Sequence, residues 1–280
     1  MKIAITSDSA CDLTNEILQE YDIKTVPFGV NMGDRFFYDG EVSTLEIFEW
    51  ADKNKQLPKT NAVNTEAFNE FFSEILKTYD AIIHFDISSD MSSAYNNAVL
   101  ASKNFNNVYV IDSRTLSTGI GLLAIYARTL TKTYDDPKKI VELVENRRGS
   151  VQASFVLERL DYLHRGGRCS SIALLGANLL KIRPQIEVVN GKMGNTNKFR
   201  GKMDKCVTDY CNAVFSKYNN PDKSVIFITH SHATEEMVNS AKEVVAEHGF
   251  EKLYITTAGC TISSHCGKNT LGILYLNDPN

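Results

Sequence analysis

Three short stretches of this 280-residue chain combine residue types that suit an anion. The first is Leu157-Glu158-Arg159-Leu160-Asp161-Tyr162-Leu163-His164-Arg165-Gly166-Gly167-Arg168, a short amphipathic helix broken by two glycines and followed at once by an arginine. Paired glycines remove the steric bar to positive φ and let a backbone approach a ligand closely. The Arg168 guanidinium adds a planar fork matched to carboxylate or phosphate. An apolar helix expected over Ile172 to Leu180 would aim its first N–H groups the same way. A helix C-cap with a solvated arginine behind it uses the same residues.

The second stretch, Ile87-Ser88-Ser89-Asp90-Met91-Ser92-Ser93-Ala94-Tyr95, follows an apolar run and opens a helical pattern. In open α/β sheets ligands sit outside the carboxyl ends of the strands, where free N–H groups and hydroxyls can hold an anionic head group. One serine is expected as an N-cap; four in this space exceed what a cap needs. The third, Gly259 to Gly272, places His265 in a polar, glycine-flanked loop between two strands. A lone histidine is more often structural, although an imidazole beside an anion is natural. Pro58-Lys59-Thr60-Asn61-Ala62-Val63-Asn64 reads as a loop with an Asn cap before a helix.

Other signals fail. Gly119-Ile120-Gly121-Leu122-Leu123-Ala124 mimics a dinucleotide fingerprint, but Ser113 to Thr118 separate it from its strand, so the glycines read as helix-packing residues. No phosphate loop ending in Gly-Lys-Ser/Thr and no Gly-x-Ser-x-Gly elbow occurs. No carboxylate pair stands out for acid–base work. Cys11 lies between Asp8 and Asp12, surroundings that raise a thiol pKa. The six cysteines lack zinc spacing, so neither metal nor cofactor is expected.

These residues need a scaffold. Lys+Arg 30 against Asp+Glu 34 leaves a net charge of −4, which argues against sequence-independent nucleic-acid binding. No apolar run approaches the ~18 residues of a membrane span. The chain opens straight into a strand without a signal-peptide pattern, so a cytoplasmic setting with reduced thiols is expected. Strands are predicted at Ile3–Thr6, Thr25–Val30, Ala81–Asp86 and Val108–Asp112. Helices are predicted from Thr14 to Glu20, near Thr44–Lys53, Thr65–Tyr79, Ser92–Lys103 and Ser117–Thr131, and after Pro137. This alternation predicts a mostly parallel, Rossmann-like sheet with helices on both faces. The charged stretch Glu145 to Ser150 reads as a boundary, giving an N-terminal α/β domain over 1–150 and a C-terminal mixed α+β sheet domain over 151–280. In the latter, strands are predicted at Val151–Val156, Pro184–Val189, Lys192–Lys198, Ser224–Thr229, Lys252–Thr256 and Thr270–Leu276, with helices over Met203–Lys217 and Glu235–Glu247. Asn190-Gly191 is the signature of a type I′ hairpin turn.

Together the segments resemble the bacterial DegV family of fatty-acid-binding proteins, nearly end to end. The likeness rests on Ser7-Asp8-Ser9, Thr60, Ser88-Ser89-Asp90-Met91-Ser92, Val110-Ile111-Asp112-Ser113, Leu160-Asp161-Tyr162-Leu163, Gly166-Gly167-Arg168, Arg200-Gly201 and His265-x-Gly. It implies two α/β domains enclosing a long acyl chain, and a non-catalytic carrier, monomer or weak dimer. Such a carrier presents its fatty acid to a fatty acid kinase catalytic subunit for acyl-phosphate formation. By position it implies carboxylate binding by Thr60 and Ser92, with Asn61, Ser93 and His265 close by. Gly167, Arg168 and Arg200 would line the head-group region or face the kinase. The chain departs from the family pattern at Asn61-Ala62-Val63-Asn64, at Ser93-Ala94 and at Lys268-Asn269, and Lys268 is expected to add a cation near the head group. Readings outside the carrier class are an enzyme acting on a small phosphorylated or carboxylated metabolite, and a lipid-responsive regulatory variant.

Overall fold

In the computed structural model, which describes residues 1–169 and 182–278, the N-terminal half builds a four-stranded sheet. Its strands are β1 (Ile3–Asp8), β2 (Ile23–Val26), β6 (Ala81–Asp86) and β7 (Val108–Asp112), in the order β2-β1-β6-β7. All three pairings are parallel. β1 and β6 are buried at every position, as continuous apolar runs covered on both faces require. The helices are α1 (Asn15–Glu20), α2 (Thr44–Asn54), α3 (Thr65–Ile75), α4 (Ala94–Ser102), α5 (Thr118–Leu130) and α6 (Pro137–Arg147). Local signals start several of them. Thr14 and Asn64 accept hydrogen bonds from the first turns of α1 and α3, Ser43 and Glu46 form a reciprocal capping box on α2, and Pro137 sits at the start of α6.

A small antiparallel sheet of order β4-β3-β5 stands beside it, from β3 (Gly29–Met32), β4 (Arg35–Tyr38) and β5 (Lys59–Asn61). This corrects two expectations. The run Thr25–Val30 is broken at Pro27-Phe28 into β2 and β3, and the Thr60 segment is a strand paired with β3.

The stretch Glu145–Ser150 ends α6 and forms a single 3-10 turn that leads directly into β8 (Val151–Val156). Beyond it lie α7 (Asp161–Gly166), β9 (Ile182–Val189), β10 (Lys192–Arg200), α8 (Met203–Lys217), β11 (Pro221–Ser231), α9 (Glu235–Ala246), β12 (Lys252–Thr257), α10 (Cys260–Cys266) and β13 (Thr270–Asn277). Six strands make one mixed sheet, β10-β9-β8-β13-β11-β12, in which only β11 and β12 run parallel. The β9–β10 turn has Asn190 at φ 50° and Gly191 at φ 85°, as a type I′ turn demands. The helix expected over Ile172 to Leu180 lies outside the described residues.

Both sheets share one continuous apolar core. Ile5, Ile83, Ile120 and Leu123 from the first half belong to the same cluster as Phe155, Leu163, Ile186, Phe227 and Leu274 from the second. One clasp is polar: Ser88 Oγ donates to the Gly191 carbonyl at 2.8 Å, and Arg114 donates to the carbonyl of Asn190. No helix among the described residues is long and apolar enough to cross a membrane.

Candidate functional site

The carboxyl ends of β2, β6 and β7 open onto a cavity of about 400 Å³, within the ~300–1,000 Å³ common for small-molecule sites. Phe28 reaches it just past β2, Ile87, Met91, Ser92 and Ser93 past β6, and Leu116 past β7. The second half closes it with Leu163 of α7, Met193 of β10, and Thr261, Ile262, His265 and Cys266 of α10.

The serine-rich loop divides its labour. Ser88 is spent on the hairpin clasp, and Ser89 donates to Asp112 Oδ2 at 2.6 Å. Ser92 and Ser93 line the cavity. Ser92 Oγ accepts from the N–H of Ala94 at 3.2 Å, leaving its own hydrogen to give, while Ser93 makes no side-chain capping bond. Thr60 projects from β5, and its Oγ1 lies 2.9 Å from His265 Nε2. Asn61 also lines the cavity and donates to Asn31 Oδ1 at 3.1 Å.

His265 sits on α10, a helix where a loop is expected. This helix has no capping side chain at its own N-terminus. Its first N–H groups are met from the other half of the chain. Asp12 Oδ1 accepts from Gly259 at 2.8 Å, and the two oxygens of Asp39 accept from Cys260 at 2.7 Å and Thr261 at 3.2 Å. Two distant side chains thus replace a local cap and satisfy N–H groups that the helix itself leaves open. Burial, against the hydrogen bonds from Ser117 and Gly259, pushes the Asp12 carboxyl up to about 8.

Burial first, and then the Arg168 charge, push His265 down to about 4, so its ring is neutral at pH 7. The Thr60 hydroxyl can meet either tautomer, donating to a bare Nε2 or accepting from Nε2–H. Nδ1 is buried without a hydrogen-bond partner among the described residues, and it faces Gly166 so closely that a Cβ there would come within 2.5 Å of it. The glycine pair therefore does two jobs: Gly166 makes room for the imidazole, and Gly167, at φ 70°, ends α7. Arg168 reaches the cavity rim, where its Nη1 donates to the Gly166 carbonyl at 2.6 Å. Burial lifts the Cys266 thiol in the cavity wall to about 12, which keeps it protonated.

Of the residues expected at a site, Thr60, Asn61, Ser92, Ser93, Arg168 and His265 come together around this cavity. Gly167 is a backbone corner outside the lining. Arg200, exposed at the end of β10, also lies outside it; the residue after it, Gly201, lines a separate cleft with Glu158, Arg183 and Lys202. Lys268 lies outside the cavity lining, with its Nζ 5.4 Å from the Phe48 ring and 3.9 Å from Asp52. Sequence reading missed Thr261 and the apolar walls Phe28, Met193 and Ile262. Only α10, itself invisible locally, would have flagged Thr261. A crevice of about 30 Å³ shares the walls Leu116, Ile262 and Cys266 and runs toward Phe155 and Leu274 between the two halves. Among the described residues no group of three or more His, Cys, Asp or Glu could hold a metal ion.

Comparison with known proteins agrees with this architecture. The profile of the DegV family, described as uncharacterised proteins, matches residues 2–278. A DegV domain-containing protein of Clostridium perfringens is 30% identical over 285 residues, covering 99% of each chain. A protein of Thermotoga maritima named fatty acid-binding protein is 31% identical, over 97% of this chain and 96% of its own. Among solved structures, DegV of Bacillus subtilis, described as a fatty acid binding protein, superposes with a TM-score of 0.87 at 25% identity, over 99% of this chain and all of that one. A Thermus thermophilus DegV family protein shares the fold with a TM-score of 0.91 at 23% identity, over 99% of this chain and 100% of its own. With a family profile spanning almost every residue and relatives matched end to end, this chain belongs to the DegV family.

Proposed function

We propose that this protein is a non-catalytic carrier of a long-chain fatty acid, with the carboxylate held among Thr60, Ser92 and His265 and with Arg168 at the rim. The observation that carries this reading is a cavity lined by Ser92 and the Thr60–His265 pair on one hand and by Phe28, Met91, Leu163, Met193 and Ile262 on the other. The shared crevice toward Phe155 and Leu274 gives the acyl tail a direction between residues 1–150 and 151–280, which we read as the two domains. The names of the Thermotoga and Bacillus relatives support the ligand class.

Energetics give each part a task. Burying about fourteen methylenes at ~0.8 kcal/mol each amounts to ~11 kcal/mol gross, set against an association cost of roughly 4–15 kcal/mol. A hydrogen bond to a charged group adds about 1.5–3 kcal/mol. The hydrocarbon therefore holds the ligand, and Ser92, Thr60 and His265 orient it and select a carboxylate. A neutral imidazole with its pKa near 4 and a thiol near 12 are poorly placed for proton transfer or nucleophilic attack at neutral pH, which favours a carrier over an enzyme. The head group lies under the exposed Arg168, on the side from which a partner could reach it. We propose a kinase subunit that phosphorylates the carboxylate as that partner, in the cytoplasm.

Native mass spectrometry of protein purified without added lipid tests the reading. A one-to-one adduct with the mass of a long-chain fatty acid is expected, and Ser92→Ala should loosen it by about 10-fold or more, from the loss of one charge-assisted hydrogen bond. A protein that is empty and refuses added palmitate and oleate would sink the proposal. Acyl phosphate made only when a kinase subunit and ATP are added would sharpen it.

A further inference from the structure

The cavity walls supplied by the second half of the chain are not held alike. α10 is packed into the core, with its first N–H groups bound by Asp12 and Asp39. Leu163 of α7 is fully buried. Met193 instead lies on β10, the edge strand of the six-stranded sheet, whose one strand partner among the described residues is β9. β9 in turn pairs with β8 only as far as Glu187. The tip from Val188 to Gly194 therefore overhangs the sheet, its backbone paired only with itself. At its base the register of the two strands shifts between Asn195 and Asn197, a bulge at which a strand bends. Val188 and Met193 pack against the main core but stay half-buried. The Met193 carbonyl accepts from the Cys169 thiol at 3.5 Å, which puts Met193 at the cavity rim beside Arg168.

Polar contacts tie this tip to the first half. Besides the bonds from Ser88 to Gly191 and from Arg114 to Asn190, Asp90 makes two ion pairs, with Arg114 at 3.0 Å and with Lys192 at 3.7 Å. Gly191 lets the two sides meet, since a Cβ there would stand 2.6 Å from Ser88 Oγ and 2.9 Å from Arg114 Nε. The charged members remain wet: the side chains of Lys192, Arg114 and Asp90 are 74%, 34% and 27% exposed. Water replaces such contacts readily, so this seam parts more easily than the apolar core beside it.

We infer that the overhanging tip of the β9–β10 hairpin is the jaw by which a bound acyl chain enters and leaves, and that Asp90 and Arg114 latch it shut. This rests on the acyl-carrier reading above and deepens it. Bending at the bulge carries Met193 away from the rim and widens the opening while α10, with His265, stays in place. The latch contacts form whether or not the cavity is filled, so they set how fast the ligand moves and not how tightly it is held.

Stopped-flow uptake and release of cis-parinarate, a fluorescent long-chain acid, test this with wild type, Asp90→Asn and Arg114→Ala. Neither residue lines the cavity. Both rates should rise together, by about 5- to 10-fold for the loss of one or two latch contacts, with affinity held within about 2-fold. Hydrogen exchange of the ligand-free variants should quicken at the hairpin tip and stay as it was in α10. Thermal melts show that the variants fold, and the near-isosteric Asp90→Asn carries the test if Arg114→Ala does not. Unchanged rates overturn the assignment. So does faster release with a matching loss of affinity, because these residues would then shape the site and not its door. If the wild type takes up no acid, the carrier reading fails by itself; tip amides that exchange no faster in the variants then overturn the latch as well.

Discussion

α9 and α10 belong to the same half of the molecule, yet they are held in opposite ways. α9 carries its own instructions. Thr234 accepts from the N–H of Met237, Glu235 and Glu236 fill its first turn, and Met237, Ala241, Val244 and Val245 make a buried stripe. α10 has seven residues, six of them buried, and no capping side chain at its start. Its N-terminus is met by Asp12 and Asp39, whose partners lie 247 and 221 residues away in sequence. The self-sufficient helix lines no part of the cavity; the dependent one supplies Thr261, Ile262, His265 and Cys266. The site is thus built on the element whose position reports that both halves are in place.

The largest effect that would sharpen this contrast is Asp39→Ala. It orphans two N–H groups of α10 and the hydroxyl of Ser9, and should cost about 3–9 kcal/mol at ~1–3 kcal/mol for each of the three groups. Chemical denaturation reads the loss. Hydrogen exchange should show it concentrated in α10, with ligand retention falling alongside; exchange that is faster in α9 instead would break the comparison.

The second test is pH. Asp12 has a folded-state pKa raised to about 8 by burial, whereas an unfolded aspartate titrates near 4. The folded state holds the extra proton in that window, so this group's contribution is fully present below pH ~4 and is lost as pH rises through about 8. A gap of about four pH units corresponds to a loss on the order of 5 kcal/mol, in which the Ser117 and Gly259 hydrogen bonds are already counted. Thermal melts at rising pH should fall more steeply in wild type than in Asp12→Asn, and parallel curves would remove Asp12 from the account.

The smallest effect is expected at the other helix. Thr234→Ala should cost about 1 kcal/mol, the usual value of an N-cap, and leave fatty-acid retention as it was. A loss of retention would show that α9 also bears on the site.

The same contrast explains which parts were legible in advance. α8 reads from its sequence to the residue, because Met203, Val207, Tyr210, Val214 and Phe215 recur at helical spacing and are all buried. The type I′ turn at Asn190-Gly191 is a local signal with a local cause. β5 and α10 are not of this kind. Three residues carry no periodicity, and Lys59–Asn61 is a strand only because β3 offers it a partner. The segment Gly259 to Gly267 looks like a loop because its serines and glycines favour one; distant carboxylates and the buried packing of Ile262 override that preference. For the site, residue types pointed to Ser92, Arg168 and His265, and the family resemblance to Thr60, whereas Thr261 and the displaced places of Arg200 and Lys268 follow from tertiary geometry alone.

The long-range cap also sets an order in time. Contacts separated by more than two hundred residues close late, after local structure has formed, and a chain made from its N-terminus folds its leading half first. Asp12 and Asp39 are therefore made more than two hundred residues before their partners at the start of α10. The wall bearing His265 can close only once both ends of the chain are present, so a nascent or C-terminally shortened chain lacks a finished pocket.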